Sequence, residues 1–270
     1  MPALQACGYA FALEPLTRSW PQACDWTRVR AELREQPLLV AWRQDADGVW
    51  LELGDCGRAL FEPQRQALQV QGLPADPGLR AEVLYGPLLL HALAWQGWYA
   101  LHAACVRLGA EAQSPAVALI AHSGTGKSTL ARVAHARGWQ RLSDDVLPYR
   151  IDGDGLWVRA DFPQLKLPPP DVPAPAGDQR LHALVLLQRG NASALRRLDA
   201  GNASRALLMH TLGSRLYTDG QLRAQFDCAA QAAAAVARGA LTLLQLTVTE
   251  QSDIDAAAQA ALDQLRAALT

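Results

Sequence analysis

A short glycine-rich stretch, AHSGTGKST at residues 121–129, has the residue types that a phosphate-binding loop needs. Glycines let backbone amides converge on an anion, a lysine reaches the phosphate oxygens, and a hydroxyl can bind Mg²⁺. The usual pattern GxxxxGK[ST] has glycine where this chain has Ala121, and alanine fits there if its φ is not positive. The alternative is a glycine-rich helix entry with an exposed lysine. A buried strand before the stretch and an amphipathic helix after it favour a phosphate-binding loop formed by Ser123, Gly124, Thr125, Gly126, Lys127, Ser128 and Thr129.

Two adjacent carboxylates, Asp144 and Asp145, follow the loop after one predicted helix and one short predicted strand. A helix of ~10 residues is ~15 Å long, so the next strand can return beside the strand that precedes the loop. Both carboxylates then lie at the edge where open α/β sheets bind ligands. One could hold Mg²⁺ and the other could take a proton from an attacking hydroxyl. A solvated acidic turn is the alternative, and the neighbouring phosphate loop favours chemistry.

Charge and cysteine content exclude several other classes of protein. With 25 basic and 26 acidic residues the formal charge is −1, which gives no reason to expect nucleic acid as the main partner. The five cysteines are scattered and form no CxxC pair, so neither a disulfide framework nor zinc-ligand spacing is present. No leader-like segment and no run of about 18 apolar residues is found. We therefore expect a cytoplasmic protein with no membrane partner.

The distribution of apolar runs predicts an N-terminal β-rich region over residues 1–84 and an α/β domain over residues 85–270. Strands are predicted at 37–42, 49–54 and 67–72, with a hairpin turn at Asp47-Gly48. A helix from Pro77 to Trp95 should bend at Gly86-Pro87. Strands and helices alternate from residue 99 onward, which indicates an α/β fold. The predicted strands there are 99–108, 115–121, 139–143, 181–189 and 242–248, and the predicted helices are 127–137, 202–212, 219–238 and one from about Ser252.

The chain contains, in this order, the segments LHAACV (101–106), AHSGTGKST (121–129) and LSDDVLPYR (142–150). This arrangement resembles the HPr kinase/phosphorylase superfamily. It is most similar to its stand-alone, HPr-kinase-like members, some of which tailor ribosomally made peptides such as lasso peptides. QLKLP (164–168) also looks like a segment of that group, and the resemblance covers about residues 85–170. It implies a P-loop kinase core of the HPr kinase/phosphoenolpyruvate carboxykinase type. The implied reaction is phosphoryl transfer from ATP, with Mg²⁺, to a serine hydroxyl.

The resemblance also implies roles for individual residues. Lys127 and the loop amides would hold the β- and γ-phosphates, and Ser128 would bind Mg²⁺. Asp144 would be the general base, and Asp145 a metal ligand. His102 would lie near the acceptor hydroxyl and orient either it or the base, although a lone histidine at a strand start is otherwise typical of a core.

The chain departs from the superfamily's sequence pattern at two places, which limits the properties that the resemblance implies. Thr129 stands where HPr kinase/phosphorylases commonly have glutamate, and the chain lacks their glycine-rich C-terminal signature. The resemblance therefore does not extend to the reverse reaction, to HPr as substrate or to a hexamer. Lys166 is compatible with a phosphate contact or with an ordinary strand position. The remaining histidines show no ligand spacing, so no metal other than Mg²⁺ is implied.

Three functions remain open at this stage. The first is a kinase that phosphorylates a serine-type hydroxyl of a peptide or protein, a lasso precursor peptide among them. The second is a small-molecule hydroxyl kinase, and the third is a nucleotide-gated binding module or ATPase. A pure binding module has no need of a base, so the set Lys127, Ser128, Asp144 and Asp145 argues against it. The oligomeric state is open, a homo-oligomer included.

Overall fold

The protein has a mixed α/β fold whose chain divides into two compact units. The computed structural model describes residues 3–22, 25–33, 36–109, 111, 113–164, 177–249 and 254–269. Unit 1 comprises Met1–Trp98 and Gly213–Leu222, and unit 2 comprises Tyr99–Leu212 and Arg223–Thr270. The helices are α1 (Pro77–Val83), α2 (Leu89–Ala94), α3 (Lys127–Ala136), α4 (Ala200–His210), α5 (Asp219–Ala237) and α6 (Ile254–Leu269).

Sixteen strands lie in the described part of the chain. Those of unit 1 are β1 (Ala3–Ala6), β2 (Tyr9–Pro15), β3 (Thr27–Leu33), β4 (Gln36–Gln44), β5 (Val49–Leu53), β6 (Arg58–Glu62) and β7 (Ala67–Gln71). Those of unit 2 are β8 (Tyr99–Arg107), β9 (Ala116–Ile120), β10 (Gln140–Ser143), β11 (Val146–Asp152), β12 (Gly155–Arg159), β13 (Asp178–Gly190), β14 (Ala194–Arg197), β15 (Thr211–Leu212) and β16 (Thr242–Thr249).

Unit 1 is a seven-stranded sheet in the order β1-β2-β7-β6-β5-β4-β3. Only β2 and β7 pair in parallel; the other neighbours are antiparallel. The predicted hairpin turn joins β4 to β5, where Asp45 N donates to Gly48 O at 3.0 Å. A Cβ at Gly48 would meet Phe61 O at 2.2 Å, so only glycine fits this turn.

The helical segment of unit 1 is interrupted as its Gly-Pro pair predicts. Asp76 caps α1 by accepting a hydrogen bond from Leu79 N, and a π-helical turn, Leu84–Leu88, separates α1 from α2. Gly86 has non-helical dihedrals in that turn, because Pro87 cannot donate a backbone hydrogen bond and crowds the preceding turn. The chain passes from unit 1 to unit 2 between Trp98 and Tyr99, so this whole segment belongs to unit 1, as do residues 213–222. The domain boundary predicted from the sequence, between residues 84 and 85, stays a prediction.

Unit 2 is built on a nine-stranded sheet with parallel strands at its centre. β13 pairs in parallel with both β9 and β16, while β8 pairs antiparallel with β9 on one side and with β10 and β11 on the other. Strands β11, β12 and β13 are joined by antiparallel pairing, so β8, β11, β12, β13 and β9 close a ring. All five residues of β9 are buried, as its nearly continuous apolar sequence predicts.

Helices pack on this sheet in unit 2. α3 and α6 cover one face, where Leu130, Val133, Leu262 and Leu265 join the core formed with β8, β9, β13 and β16. α4 contacts β8 and β16, and Ser204 in α4 donates to Ala229 O in α5 at 2.9 Å. The helices and strands predicted from residue 99 onward are confirmed to within a few residues at each end. Ser252 lies outside the described residues, and α6 is described from Ile254. No described helix combines the length and the apolar character needed to cross a membrane.

Candidate functional site

The glycine-rich loop, His102 and the two aspartates lie at one edge of the sheet in unit 2. The glycine-rich loop follows β9, and the aspartate pair follows β10. The prediction that β10 returns beside β9 is wrong, because β8 lies between them. β8 is antiparallel to β9 and to β10, so the first half of β8 lies at the edge of the sheet where β9 and β10 end. His102, in that half, pairs with Val146, the residue directly after the two aspartates. The histidine strand therefore separates the loop from the carboxylates and brings His102 between them.

The loop has the backbone that a phosphate cradle requires. Gly124 and Gly126 have φ of 78° and 114°, values that side-chain-bearing residues rarely adopt. A Cβ built on either glycine meets no atom within 4 Å, so the space in front of them is open. Ala121 is not among the described residues with positive φ, so alanine is accommodated at the usual glycine position. The loop thus offers an open concave backbone of the kind that binds phosphate.

The N-terminus of α3 is a second anion-attracting element. Gly126 occupies the N-cap position in a left-handed conformation, and no side chain caps the helix. By contrast, Asp76 and Asp199 cap α1 and α4 through their carboxylates. Ser128 and Thr129 are partly buried in the uncapped first turn. Helix N-termini of this kind attract negative charge through their backbone amides.

Lys127 is turned back onto the loop and onto His102. Its side chain is largely enclosed, with the residue only 5% exposed. Nζ donates to Ala121 O at 2.8 Å and to His122 O at 3.1 Å, and it lies 2.9 Å from His102 Nε2. An ammonium group has three donors and no acceptor, and these three contacts match that number. His102 must therefore accept through Nε2, which makes it neutral with its proton on Nδ1.

The other ring nitrogen of His102 faces the second aspartate. His102 Nδ1 lies 3.4 Å from Asp145 Oδ1, and Ala103 N donates to Asp145 O at 3.2 Å. The neutral tautomer set by Lys127 directs its N–H towards this carboxylate. Lys127, His102 and Asp145 thus form a continuous polar chain from the loop to the aspartate turn.

The two aspartates differ sharply in exposure. Asp144 is 2% exposed, and both of its carboxylate oxygens are enclosed. The Asp145 side chain is 29% exposed beside His102. An incoming hydroxyl therefore reaches Asp145 more readily than Asp144 in this conformation.

Gln164 organises the aspartate turn from outside it. Its Oε1 accepts from the backbone N–H groups of Asp144, Asp145 and Val146 at 3.3, 3.2 and 3.4 Å. Its Nε2 donates to Val146 O at 3.0 Å and to Phe162 O at 2.9 Å. In the sequence, Gln164 is visible only as the first residue of the segment QLKLP. Its contacts are with residues about 20 positions earlier in the chain, so they depend on the tertiary fold.

Arg189, at the end of β13, is a further cation beside the loop. Its Nη2 donates to Gly124 O at 3.4 Å. The position was visible in the sequence as the last residue of a predicted strand, 181–189. Without the strand order, however, nothing indicates that β13 ends beside the loop. Lys166 lies outside the described residues.

Two further histidines, His122 and His210, lie close together beside the start of the loop. The exposed His122 ring packs against His210, with centroids 5.0 Å apart. Burial lowers the pKa of His210 to about 4, and the nearby His122, Lys127 and His102 act in the same direction. His210 is therefore neutral near pH 7. Within the described ranges, no three His, Cys, Asp or Glu side chains come together as a metal-binding group.

No protein-family model matches the chain, and no curated protein matches it in sequence. Among solved structures, the Hpr(Ser) kinase/phosphatase from Coxiella burnetii is similar to 63% of this chain and to 97% of its own chain, with a TM-score of 0.32 and 11% sequence identity. A likeness at that TM-score and identity supports no conclusion about this chain.

Proposed function

We propose that this chain is an ATP-dependent kinase that transfers the γ-phosphate to a serine-type hydroxyl of a peptide or protein. The observation that carries the proposal is the polar chain at the end of the loop. Lys127 Nζ lies 2.9 Å from His102 Nε2, and His102 Nδ1 lies 3.4 Å from Asp145. A lysine at the loop, an imidazole and a partly exposed carboxylate in contact can together supply a phosphate contact and a positioned base for phosphoryl transfer to a hydroxyl.

The loop and the first turn of α3 supply the phosphate site. The positive φ angles at Gly124 and Gly126, the open space before them and the uncapped helix N-terminus all suit a triphosphate. Lys127 would exchange its contacts with Ala121 O and His122 O for phosphate oxygens. Arg189 would add positive charge where charge develops on the leaving diphosphate.

The donors near the loop also fit Mg²⁺, which prefers oxygen ligands and ordinarily shares them with substrate phosphates. Ser128 and one of the two aspartates would hold the ion. When bound, it would neutralise charge on the β- and γ-phosphates. The family resemblance assigns the role of metal ligand to Asp145 and the role of base to Asp144. The greater exposure of Asp145 favours Asp145 as the base, and Asp144 is then the remaining candidate for the metal ligand.

In the resulting mechanism the Asp145 carboxylate takes the proton of the acceptor hydroxyl. His102, held neutral by Lys127, presents its Nδ1–H to Asp145 and orients it. The acceptor oxygen forms its bond to the γ-phosphorus as the bond to the β–γ bridging oxygen breaks, and ADP leaves. Lys127 and the loop amides hold the negative charge that moves onto the bridging oxygen.

The peptide or protein acceptor, including a ribosomally made precursor of the lasso type, is supported by the sequence resemblance. The test uses γ-labelled ATP, Mg²⁺ and an extract of the source cell, with wild-type protein or Lys127→Ala. We expect label in acid-precipitable or peptide-sized material with the wild type only. Label only in small metabolites would replace the peptide acceptor by a small alcohol. Release of free phosphate alone, or equal labelling by the variant, would overturn the kinase proposal.

A further inference from the structure

A cavity of about 360 Å³ lies in unit 2 between α4 and the ends of the central strands. Its size is within the range of small-molecule sites, about 300–1,000 Å³. The polar and flexible side chains that line it are Gln188, Asn202, Arg205, Met209, His210 and Gln245. The mechanism described above uses none of them.

The cavity occupies the face of the sheet opposite to α3. Leu119, Val185 and Leu246 pack into the core with α3 and α6. Side chains alternate along a strand, so Ile120, Leu186 and Gln245 point to the other face, where α4 lies and where the cavity is found. The cavity and α3 therefore lie on opposite faces of the sheet.

The cavity nevertheless adjoins the end of the loop where the terminal phosphate is expected. Ala121 and His122 line it, and Lys127 Nζ donates to the carbonyl oxygens of these same two residues. The lysine of such loops reaches the β- and γ-phosphates. A molecule in the cavity would thus lie beside the transferring phosphoryl group, at the position of an acceptor.

The charge of the lining selects the kind of acceptor. Among the described residues that line the cavity, Arg205 is the charged side chain, and none of them is an aspartate or a glutamate. Arg205 Nε contacts Met209 Sδ at 3.5 Å on the exposed side of α4, leaving a guanidinium group at the rim that can pair with a carboxylate or phosphate. Three amide side chains, Gln188, Asn202 and Gln245, add neutral hydrogen-bonding groups. A cationic acceptor would find no counter-charge among these residues.

We propose that this cavity is the acceptor site, and that the acceptor hydroxyl belongs to a compound or side chain carrying a negatively charged group that pairs with Arg205. The inference rests on the proposed kinase function. A free hydroxy acid and an acidic stretch of a peptide share this chemistry. Either would place its hydroxyl towards Lys127 and its anionic group towards α4.

The test compares wild type with Arg205→Glu and Arg205→Lys in the γ-labelled ATP assay, with Arg223→Glu as control. Arg223 is an exposed helical arginine on α5, outside the cavity lining, and the substitution makes the same charge change. We expect Arg205→Glu to raise the KM for the labelled acceptor by about ten- to a hundredfold, as loss of a charged hydrogen bond predicts. Mg·ATP affinity and thermal stability should stay unchanged. Arg205→Lys should recover part of the loss, and Arg223→Glu should behave as wild type.

The outcomes separate this inference from the function on which it rests. If the wild type transfers no label to any acceptor, the kinase proposal itself is wrong. If it transfers label and Arg205→Glu transfers equally well, only the acceptor site is wrong. Mass spectrometry of the labelled product gives a second criterion. An acceptor with no anionic group apart from the transferred phosphate overturns the inference, while the product's size distinguishes a peptide from a small hydroxy acid.

Discussion

Lys127 Nζ lies 2.9 Å from His102 Nε2, a contact in which the ammonium must donate and the imidazole must accept. Two loop carbonyls, Ala121 O and His122 O, take the other two donors. A phosphate can gain this lysine only if some of these contacts break. Phosphate binding would therefore change the surroundings of His102 at the same time as it positions the lysine.

The His102 side chain is predicted to act on transfer rather than on nucleotide binding. His102→Ala should lower the rate of phosphoryl transfer by ~10²–10⁴-fold, the range of a lost acid–base partner. The Kd of Mg·ADP should change little. Rapid-quench measurement of transfer and calorimetric measurement of ADP binding check the two parts.

A matched pair of variants distinguishes the two contacts of His102. His102→Asn retains a side-chain N–H near the position of Nδ1, facing Asp145, whereas His102→Gln reaches towards Lys127. If orientation of Asp145 is the main role, the asparagine variant will retain more activity. An unchanged rate in all three variants would make His102 a core residue.

The two aspartates are predicted to have different effects when neutralised. Asp145→Asn should lose transfer but retain Mg·ADP affinity, because the amide cannot accept the acceptor's proton. Asp144→Asn should weaken Mg²⁺-dependent nucleotide binding. Titration with Mn²⁺ followed by electron paramagnetic resonance measures the second effect without turnover. Loss of transfer in Asp144→Asn with loss of Mg²⁺-dependent binding in Asp145→Asn would contradict this prediction. It would support the assignment implied by the resemblance, with Asp144 as the base.

Gln164 is predicted to be a positioning residue for the aspartate turn. Gln164→Leu removes the acceptor shared by three backbone N–H groups, so the turn should lose its fixed geometry and kcat should fall with little change in KM for ATP. Gln164→Glu keeps the accepting oxygen and should retain more activity. Gln69→Leu is the control, because Gln69 is a buried glutamine bonded to Glu62 in unit 1. Loss of thermal stability with unchanged kcat in Gln164→Leu would indicate a purely structural role.

His91 is predicted to make unit 1 sensitive to acid. Burial lowers its pKa from 6.5 to about 4, while Nδ1 contacts Leu216 O at 3.1 Å and Trp95 Nε1 donates to Nε2 at 3.2 Å. The unfolded chain binds this proton more readily than the native one. Stability is therefore fully present above pH 6.5 and falls as the pH drops towards 4, by on the order of 3 kcal/mol in total.

Calorimetric melting of wild type and His91→Gln over this pH range measures the effect. The glutamine variant should be less stable near pH 7, because it loses part of the buried hydrogen bonding, but its melting temperature should depend less on pH. Parallel pH profiles for the two proteins would show that another group causes the acid sensitivity.

The sequence predicted the elements whose signals are local. Three predicted features depend on residues that are close together in the sequence. They are the hairpin of β4 and β5 around Asp47-Gly48, the helix break at Gly86-Pro87, and the strand, loop and helix around Lys127. Strand order depends instead on distant pairing. Local signals therefore do not reveal that β8 separates β9 from β10, or that residues 213–222 belong with unit 1.

The candidate site shows the same division. Lys127, Ser128 and the aspartate pair were recognisable because their residue types and spacing imply chemistry directly. Gln164 and Arg189 were not, because a glutamine or an arginine at a loop or strand end is common, and their contacts with the aspartate turn and with Gly124 come from the tertiary fold. Asp144 is more buried than Asp145. The sequence cannot show this difference, because the two residues are adjacent and identical in type.

The central claim is that the Lys127 ammonium exchanges its contacts with the loop carbonyls Ala121 O and His122 O for a nucleotide phosphate. Lys127 and Lys166 are the only lysines in the chain, so protein with isotope-labelled lysine gives at most two side-chain ammonium resonances, and Lys127→Arg assigns them. We predict that saturating Mg·ADP or a non-hydrolysable ATP analogue shifts the Lys127 resonance and that adenosine does not. A Lys127 resonance unchanged by nucleotide, with saturation shown by calorimetry, would contradict the account, as would the absence of nucleotide binding.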